Sequence, residues 1–524
     1  MNFNLLTEKW IPVLRKDQTT DWISPDQMGE SDIVSLHFPR PDFNGAVIQF
    51  LIGLLQSFAA PETEKQWKKS LQEPPNSSVL STLWGKYIEV FNLLGDGPRF
   101  MQSFEELKAE SKPVSYLLID SPGEQTLKEN KDFFIKRGRV ERLSLPMTAA
   151  ALLCLQMNAP SGGAGHRTSL RGGGPLTILL EGDTLWQSLW LNVLPETEFL
   201  ERLNFCDRTL VDLQYKFPWM GSTRISKSGM PTEITDPVHT HPLHIFWAMP
   251  RRIRLCLESG IGKCSVSGAE SELGVSEYVT EAYGFNYKGV WQHPFSPYYF
   301  DKTQAPLCRH PKAHGVTYRH WTDYILAASD KDRKPLSSPA LVVQYARTKR
   351  RSEVCEHRFW AFGYEMDNMK AVSWQEYRVP ARVFPEDIEQ RLDIKDGITA
   401  LVSAAEATIS VLKSAVREAS SVSSDTTSSI FYQETESEFY IKTEQIVAVS
   451  GNSEKQNAVK QDWMNYLRRE AEKMFDALAA NFDITQGNMK RIAVARKDLM
   501  SKLYSKKMLP ETLGLPSEKG GLNV

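Results

Sequence analysis

Between Ile398 and Val416 the apolar residues Ile398, Leu401, Val402, Ala405, Ile409, Leu412 and Val416 recur every three or four positions, with polar residues between them. That spacing fits a helix with one buried stripe and does not fit a strand. Trp463, Leu467, Met474, Leu478 and Phe482 mark a second helix, Ile492, Ala495, Leu499 and Leu503 a third, and the stretch from Phe439 to Val449 a fourth. Ser421 to Ser429 is rich in Ser and Thr and reads as a connector. Residues 380–524 are therefore predicted to form a C-terminal four-helix bundle.

Upstream the texture is different. Short strand-like runs such as Leu176 to Leu180 and Ile253 to Leu257 alternate with helical patterns and are punctuated by Pro and Gly. Residues 1–379 read as a large mixed α/β domain, and the chain as a whole as α+β. A length of 524 residues agrees with more than one folding unit. The stretch from Arg378-Val379-Pro380 to Phe384-Pro385 is the candidate linker.

Apolar residues make up 41% of the chain and charged residues 24%, which excludes global disorder. The longest apolar run, Ala46 to Ala60, is interrupted by Gln49 and Gln56 and is shorter than the ~20 residues a membrane helix needs. It reads as a buried helix, and no membrane association is expected. The N-terminus shows no basic region ahead of an apolar run, and the six cysteines contain no CxxC pair. A reducing cytoplasm fits best.

The net charge of −2 argues against a protein that coats nucleic acid unaided. Any basic surface must be local. Residues 128–171 supply one, with eight basic groups against three acidic ones.

Across the end of that region, Gly162, Gly163, Gly165, Gly172, Gly173 and Gly174 place six glycines in thirteen residues, with Arg167 and Arg171 among them. Glycines let a backbone approach a ligand closely, and the two arginines favour nucleic acid; a plain surface loop also fits. Neither a Walker Gly-Lys-Ser/Thr ending nor GxGxxG spacing follows, so nucleotide binding is weakly supported. Upstream, Phe133 and Phe134 precede Lys136, Arg137 and Arg139, a combination that stacks bases and holds phosphates of a single strand. A solvated basic loop beside buried Phe is an equal alternative. Lys263, in Gly260-Ile261-Gly262-Lys263-Cys264, sits on a Gly turn, where a lone lysine usually faces solvent.

Cys308, His310 and His314 are the rival signal, since zinc accepts thiolate and imidazole. His320 lies nearby, and His239, His241 and His244 form a second cluster. Pro311 disfavours the continuous helix that would align His310 with His314. No HExxH, nucleophile elbow or kinase set is present, so the chain is expected to be a binding protein, not an enzyme, without metal or cofactor. A zinc-dependent hydrolase on Cys308, His310 and His314 is the alternative.

Taken in order, Leu5 to Val13, Leu170-Arg171-Gly172-Gly173, Gly260 to Cys264, Trp291 to Pro297 and Gly363 to Lys370 resemble the CasA family, the large subunit of the type I-E CRISPR Cascade surveillance complex. The resemblance implies a mixed α/β domain followed by a four-helix bundle, in agreement with the periodicity. It also implies the partners: other Cascade subunits, the CRISPR guide RNA, double-stranded target DNA and a helicase-nuclease. Carried over by position, Gly163, Ala164 and Gly165 form a glycine loop at the short motif beside the target (the PAM). Lys263 becomes a lysine finger, and Asn368, Met369 and Lys370 a wedge that pries the duplex apart. Phe134, Lys136, Arg137 and Arg139 would meet the guide RNA, and Lys490, Arg491, Arg496 and Lys497 the displaced strand. The chain departs from some relatives in having Met369 where they place glutamine, Ala164 in place of one glycine, and no CxxC pairs.

Overall fold

Gln49 and Gln56, the two polar breaks in the long apolar run, are buried and fully used in the computed structural model. Gln49 donates to the Gly45 carbonyl at 2.7 Å, and Gln56 exchanges two hydrogen bonds with the backbone of Leu194. Their helix, Pro41–Phe58, buries most of its side chains and packs against a second apolar helix, Leu145–Asn158. Around them Phe50, Phe91, Phe100, Phe217, Trp219 and Trp247 meet edge to face, stacked or tilted, with centroids about 5 to 6 Å apart. The structure describes residues 2–130, 132, 137–163, 165–311, 317–321, 328–329, 335–354, 357–367, 370–380, 387–419, 424–480 and 489–516.

The chain divides into two compact units, Met1–Pro311 with Ala340–Ala381, and Lys312–Pro339 with Arg382–Val524. The second unit therefore includes a segment from upstream of Pro380 that a single linear boundary does not capture.

In the first unit two long hairpins dominate. Arg252–Lys263 pairs antiparallel with Glu270–Glu281, whose other edge takes up Ser111–Pro113 and Leu143–Ser144. Arg358–Asp367 pairs with Lys370–Pro380 on one side and Thr177–Glu181 on the other, with Phe359 opposite Leu180. Near the N-terminus Ile11–Arg15 lies between Thr20–Ile23 and Ile33–Leu36. Residues 5–8 just before it form a turn, held by the Asn4 side chain accepting from the Leu6 amide.

In the second unit the apolar stripe of Ile388–Ala419 packs against Ser424–Ala448, Ser453–Ala480 and Met489–Leu503. Trp463 is fully buried and donates from its indole to the Leu401 carbonyl at 2.9 Å. Tyr318 stacks on Phe439 at 4.2 Å and shares a hydrogen bond with Thr435 at 2.7 Å. The Ser/Thr-rich stretch is not a connector throughout, because the helix begins at Ser424 and buries Thr427 and Ser428. Small hydroxyl residues fit a crowded helix interface, where their side chains can bond the preceding turn. By length and composition Glu389–Ala419 alone among the described helices could cross a membrane, but half of its apolar window is buried against its neighbours.

Candidate nucleic-acid interface

The glycine-rich segment is a seam. Gly165 has φ +86°, and a Cβ there would stand 2.6 Å from the ring of Tyr283, just past the foot of the Arg252–Lys263 hairpin. Gly174 has φ +61°, and its Cβ would meet Tyr364 and Met366 of the other long hairpin at 2.7 and 2.8 Å. Only glycine permits both the backbone angle and the close approach. The same segment therefore rests against both hairpins, at Tyr283 beside the foot of one and at Tyr364 on a strand of the other.

A small turn projects from this seam. The Gly162 amide donates to His166 O at 3.1 Å and the His166 amide returns to Gly163 O at 3.3 Å. Gly163 is exposed, has nothing within 4 Å of its Cβ position and donates its amide to no described group. Ala164, the middle residue of the proposed glycine loop, lies outside the described residues, as do Asn368 and Met369 of the proposed wedge. Lys370 is exposed at the turn end of its strand, opposite Asp367.

Lys263 is exposed at the tip of its hairpin, a strand of 12 residues away from the glycine turn at the foot. The two do not touch. What fixes the tip is Arg142, nearly buried, whose guanidinium donates to Gly262 O, Gly260 O and Ser271 O at 2.5, 3.0 and 3.0 Å. Ser265 closes the same junction, its amide donating to Arg142 O and its hydroxyl accepting from the amides of Glu141 and Arg142. Arg142 stood in the sequence only as one member of a basic run. Nothing local could have revealed contacts across some 120 residues.

The cationic loop comes to this same end. Arg139 is exposed, and Arg137 and Arg139 line a cleft of about 830 Å³ together with Ser265 and Val266 of the tip. Arg137 forks onto Asp132 at 2.7 and 2.8 Å, which holds the Asp132 carboxyl below its ordinary range and raises the arginine. Phe134 and Lys136 lie outside the described residues.

Arg167 and Arg171, set among the glycines, are both engaged within the fold. Arg167 donates to Ser226, to its hydroxyl at 2.8 Å and its carbonyl at 2.6 Å. Arg171 is buried, donating to Gln49, Thr177 and Ser296 at 2.7, 2.9 and 3.1 Å, and burial lowers its pKa. A long side chain in a loop can turn inward to satisfy buried acceptors, and sequence does not record the direction.

Of the rival metal residues, His310 is occupied elsewhere. His310 bonds to Gly173 O at 2.9 Å and presses on Gly172, and burial holds its pKa below the usual value. His314 lies outside the described residues, and among those described no group of three His, Cys, Asp or Glu could hold a metal ion. His239 and His241 accept from the amides of Asp236 and Leu243, and His244 is buried between Tyr215 O and the Tyr287 hydroxyl.

On the helical unit, Lys490 and Lys497 are exposed and form no ion pair among the described residues. Arg496 forks onto Asp476 at 2.8 and 3.0 Å, while Arg491 donates to Ala419 O, the end of the Ile388–Ala419 helix.

Residues 4–474 match the family of CRISPR-associated protein Cse1. Among solved structures the chain is similar to Cse1 of Thermobifida fusca, at 15% identity and TM-score 0.69, over 98% of this chain and 98% of that one. It is similar to CasA (Cse1) of Thermus thermophilus at 13% identity and TM-score 0.66, over 96% and 99% of the two chains. A chain of a CRISPR RNA-guided surveillance complex matches at 16% identity and TM-score 0.62, over 96% and 100%. Because the family match runs through both long hairpins and most of the helical region, the chain belongs to the Cse1 (CasA) family of CRISPR-associated proteins.

Proposed function

We propose that this chain is the large subunit of a type I-E Cascade complex and that it recognises the PAM of double-stranded target DNA in the cytoplasm. It acts by binding, not by catalysis. The observation that carries the reading is the glycine seam, which rests against both long hairpins and still leaves the Gly163 amide open to a ligand. Gly163, Ala164 and Gly165 contact the motif, Lys263 adds a charged contact, and Asn368, Met369 and Lys370 hold the adjacent base step apart. Minor-groove binders commonly insert Met or Leu in this way, and opening a step costs about a few kcal/mol. Minor-groove readout mainly separates A·T from G·C, so several motif variants are tolerated. Once the first pairs are open, guide pairing carries recognition onward.

Phe134, Lys136, Arg137 and Arg139 dock the subunit on the guide RNA, beside the other Cascade subunits. With Arg137 committed to Asp132, the exposed Arg139 is the better placed for phosphate of the two described cations. Lys490, Arg491, Arg496 and Lys497 steer the displaced strand and help admit the helicase-nuclease.

The test is to add the chain to a guide-RNA subcomplex lacking it and measure capture of duplex with and without the motif. Motif-dependent binding is expected. Lys263→Ala should weaken capture of intact and pre-opened duplex alike, with a contribution that falls with salt. A mismatched bubble beside the motif should rescue Met369→Ala and leave Lys263→Ala impaired. Equal rescue of both, or full binding by either variant on intact duplex, rules out this division of labour.

A further inference from the structure

The glycine turn borders a cleft of about 330 Å³ at the foot of the Arg252–Lys263 hairpin, walled in part by Gly162, Gly163, His166, Lys112, Tyr278 and Arg251. Arg251 is unusual among these. Its Nη2 donates to Pro160 O, yet its Nε is shut off from solvent and donates to nothing. Among the described residues no carboxylate forms an ion pair with it. Its guanidinium lies against Gly162, 3.0 Å from where a Cβ would stand, so a side chain there would displace it.

Among the described residues, the charges that act most on His166, Arg251 and Lys112, are both positive. Burial, then Arg251, then Lys112 push the imidazole down to about 4, which leaves it neutral near pH 7 and able to donate one N–H. Arg251 itself is pulled down to about 10 by burial. A guanidinium removed from water without a counter-charge is unfavourable, and the usual remedy is an anion that completes the site. Phosphate oxygens suit the donors at hand, a planar guanidinium at the cleft wall and the open Gly163 amide.

We infer that this cleft is a phosphate-binding site, and that it takes a backbone phosphate of the target duplex beside the motif that the glycine turn contacts. The assignment rests on the reading of that turn as a DNA contact. Arg251 is then a positioning cation: it fixes where the duplex lies on the turn and carries no sequence information itself. A free phosphate ion shares the same chemistry, and the experiment separates the two sources.

Two variants serve, Arg251→Gln, which keeps a donor for Pro160 O without the charge, and Arg251→Lys, which keeps the charge. In assembled complexes the slope of log affinity against log salt for motif-bearing duplex should fall by about 0.9 in Arg251→Gln, the value of one phosphate contact, and stay near parental in Arg251→Lys. With the full chain alone, replacing chloride by inorganic phosphate at constant ionic strength should raise the melting midpoint of the parent and not of Arg251→Gln. A phosphate effect without a change of DNA slope makes the cleft a free-ion site and overturns the backbone assignment. If the parental complex captures no duplex, the functional reading fails while the phosphate arm still tests the cleft. Loss of neither signal in Arg251→Gln overturns the inference altogether, whatever the midpoint in chloride.

Discussion

Arg142 and Gly262 meet across 120 residues of sequence, the guanidinium donating to the glycine carbonyl at 2.5 Å while a Cβ on Gly262 would stand 2.9 Å from the guanidinium carbon. The same group holds the Gly260 carbonyl, so the backbone on both sides of Ile261 is tied down on one face of the hairpin. Ile261 is turned out to 79% exposure, two residues from the exposed Lys263 on the same strand. An apolar group and a cation are presented together at a rigid tip, the pairing that suits the sugar and phosphate edges of a groove.

Replacing Arg142 by Ala should release that tip. Three backbone carbonyls lose their donor, at a net cost of about 1 kcal/mol each, so destabilisation of about 2 to 4 kcal/mol is expected. Hydrogen exchange should localise it to residues 258–271. Protection there equal to the parent would show that the clamp is not what orders the tip.

Gly163→Ala and Gly165→Ala should behave oppositely although the residues are two apart. Gly165 combines a positive φ with a close approach to the Tyr283 ring, so alanine there lowers the melting midpoint. Gly163 has open space around it, so alanine leaves the midpoint unchanged. If Gly163→Ala nevertheless weakens duplex capture, the loss belongs to the contact and not to the fold. Equal midpoints for the two variants would contradict the seam.

His244 should make the chain acid-sensitive. It is fully enclosed, with one ring nitrogen bonded to Tyr215 O and the other to the Tyr287 hydroxyl, which also accepts from the Met249 amide. Burial pushes its pKa down to about 3. A base whose folded value lies below its unfolded value near 6.5 stabilises the fold fully above pH 6.5. That contribution is lost progressively as pH falls towards 3, at up to about 1.4 kcal/mol per unit. Measured from pH 7 to 4, the stability of His244→Gln should fall by one proton less per molecule than the parent. A parental slope in the variant would place the sensitivity elsewhere, with His166 and His241, both pushed down to about 4, the next groups to replace.

On the basic helix, Lys490→Glu combined with Lys497→Glu should leave the melting midpoint unchanged and weaken target degradation more than target recognition. Arg496→Ala should in addition lose an exposed pair with Asp476, a cost of about 0.2 to 1 kcal/mol in stability. Equal losses of recognition and degradation in the lysine variant would indicate a folding defect.

The sequence by itself determined the helices of the C-terminal region and the buried helix at Pro41–Phe58. Their signal is a local period of three and four, set by the geometry of one element. It also located the glycine segment, the Lys263 turn and the ordered landmarks that identify the family, because each is a short run of particular residue types. Only the tertiary structure decided where the side chains around those segments turn. Arg167 and Arg171 look like ligand-facing cations beside glycines, yet one is spent on Ser226 and the other on Gln49, Thr177 and Ser296. Arg142 and Arg251 look ordinary, yet one ties down a hairpin tip and the other is buried without a counter-charge among the described residues. Which way a long side chain turns depends on acceptors brought near by residues about 60 to more than 120 positions away. That information exists only once the chain has closed on itself.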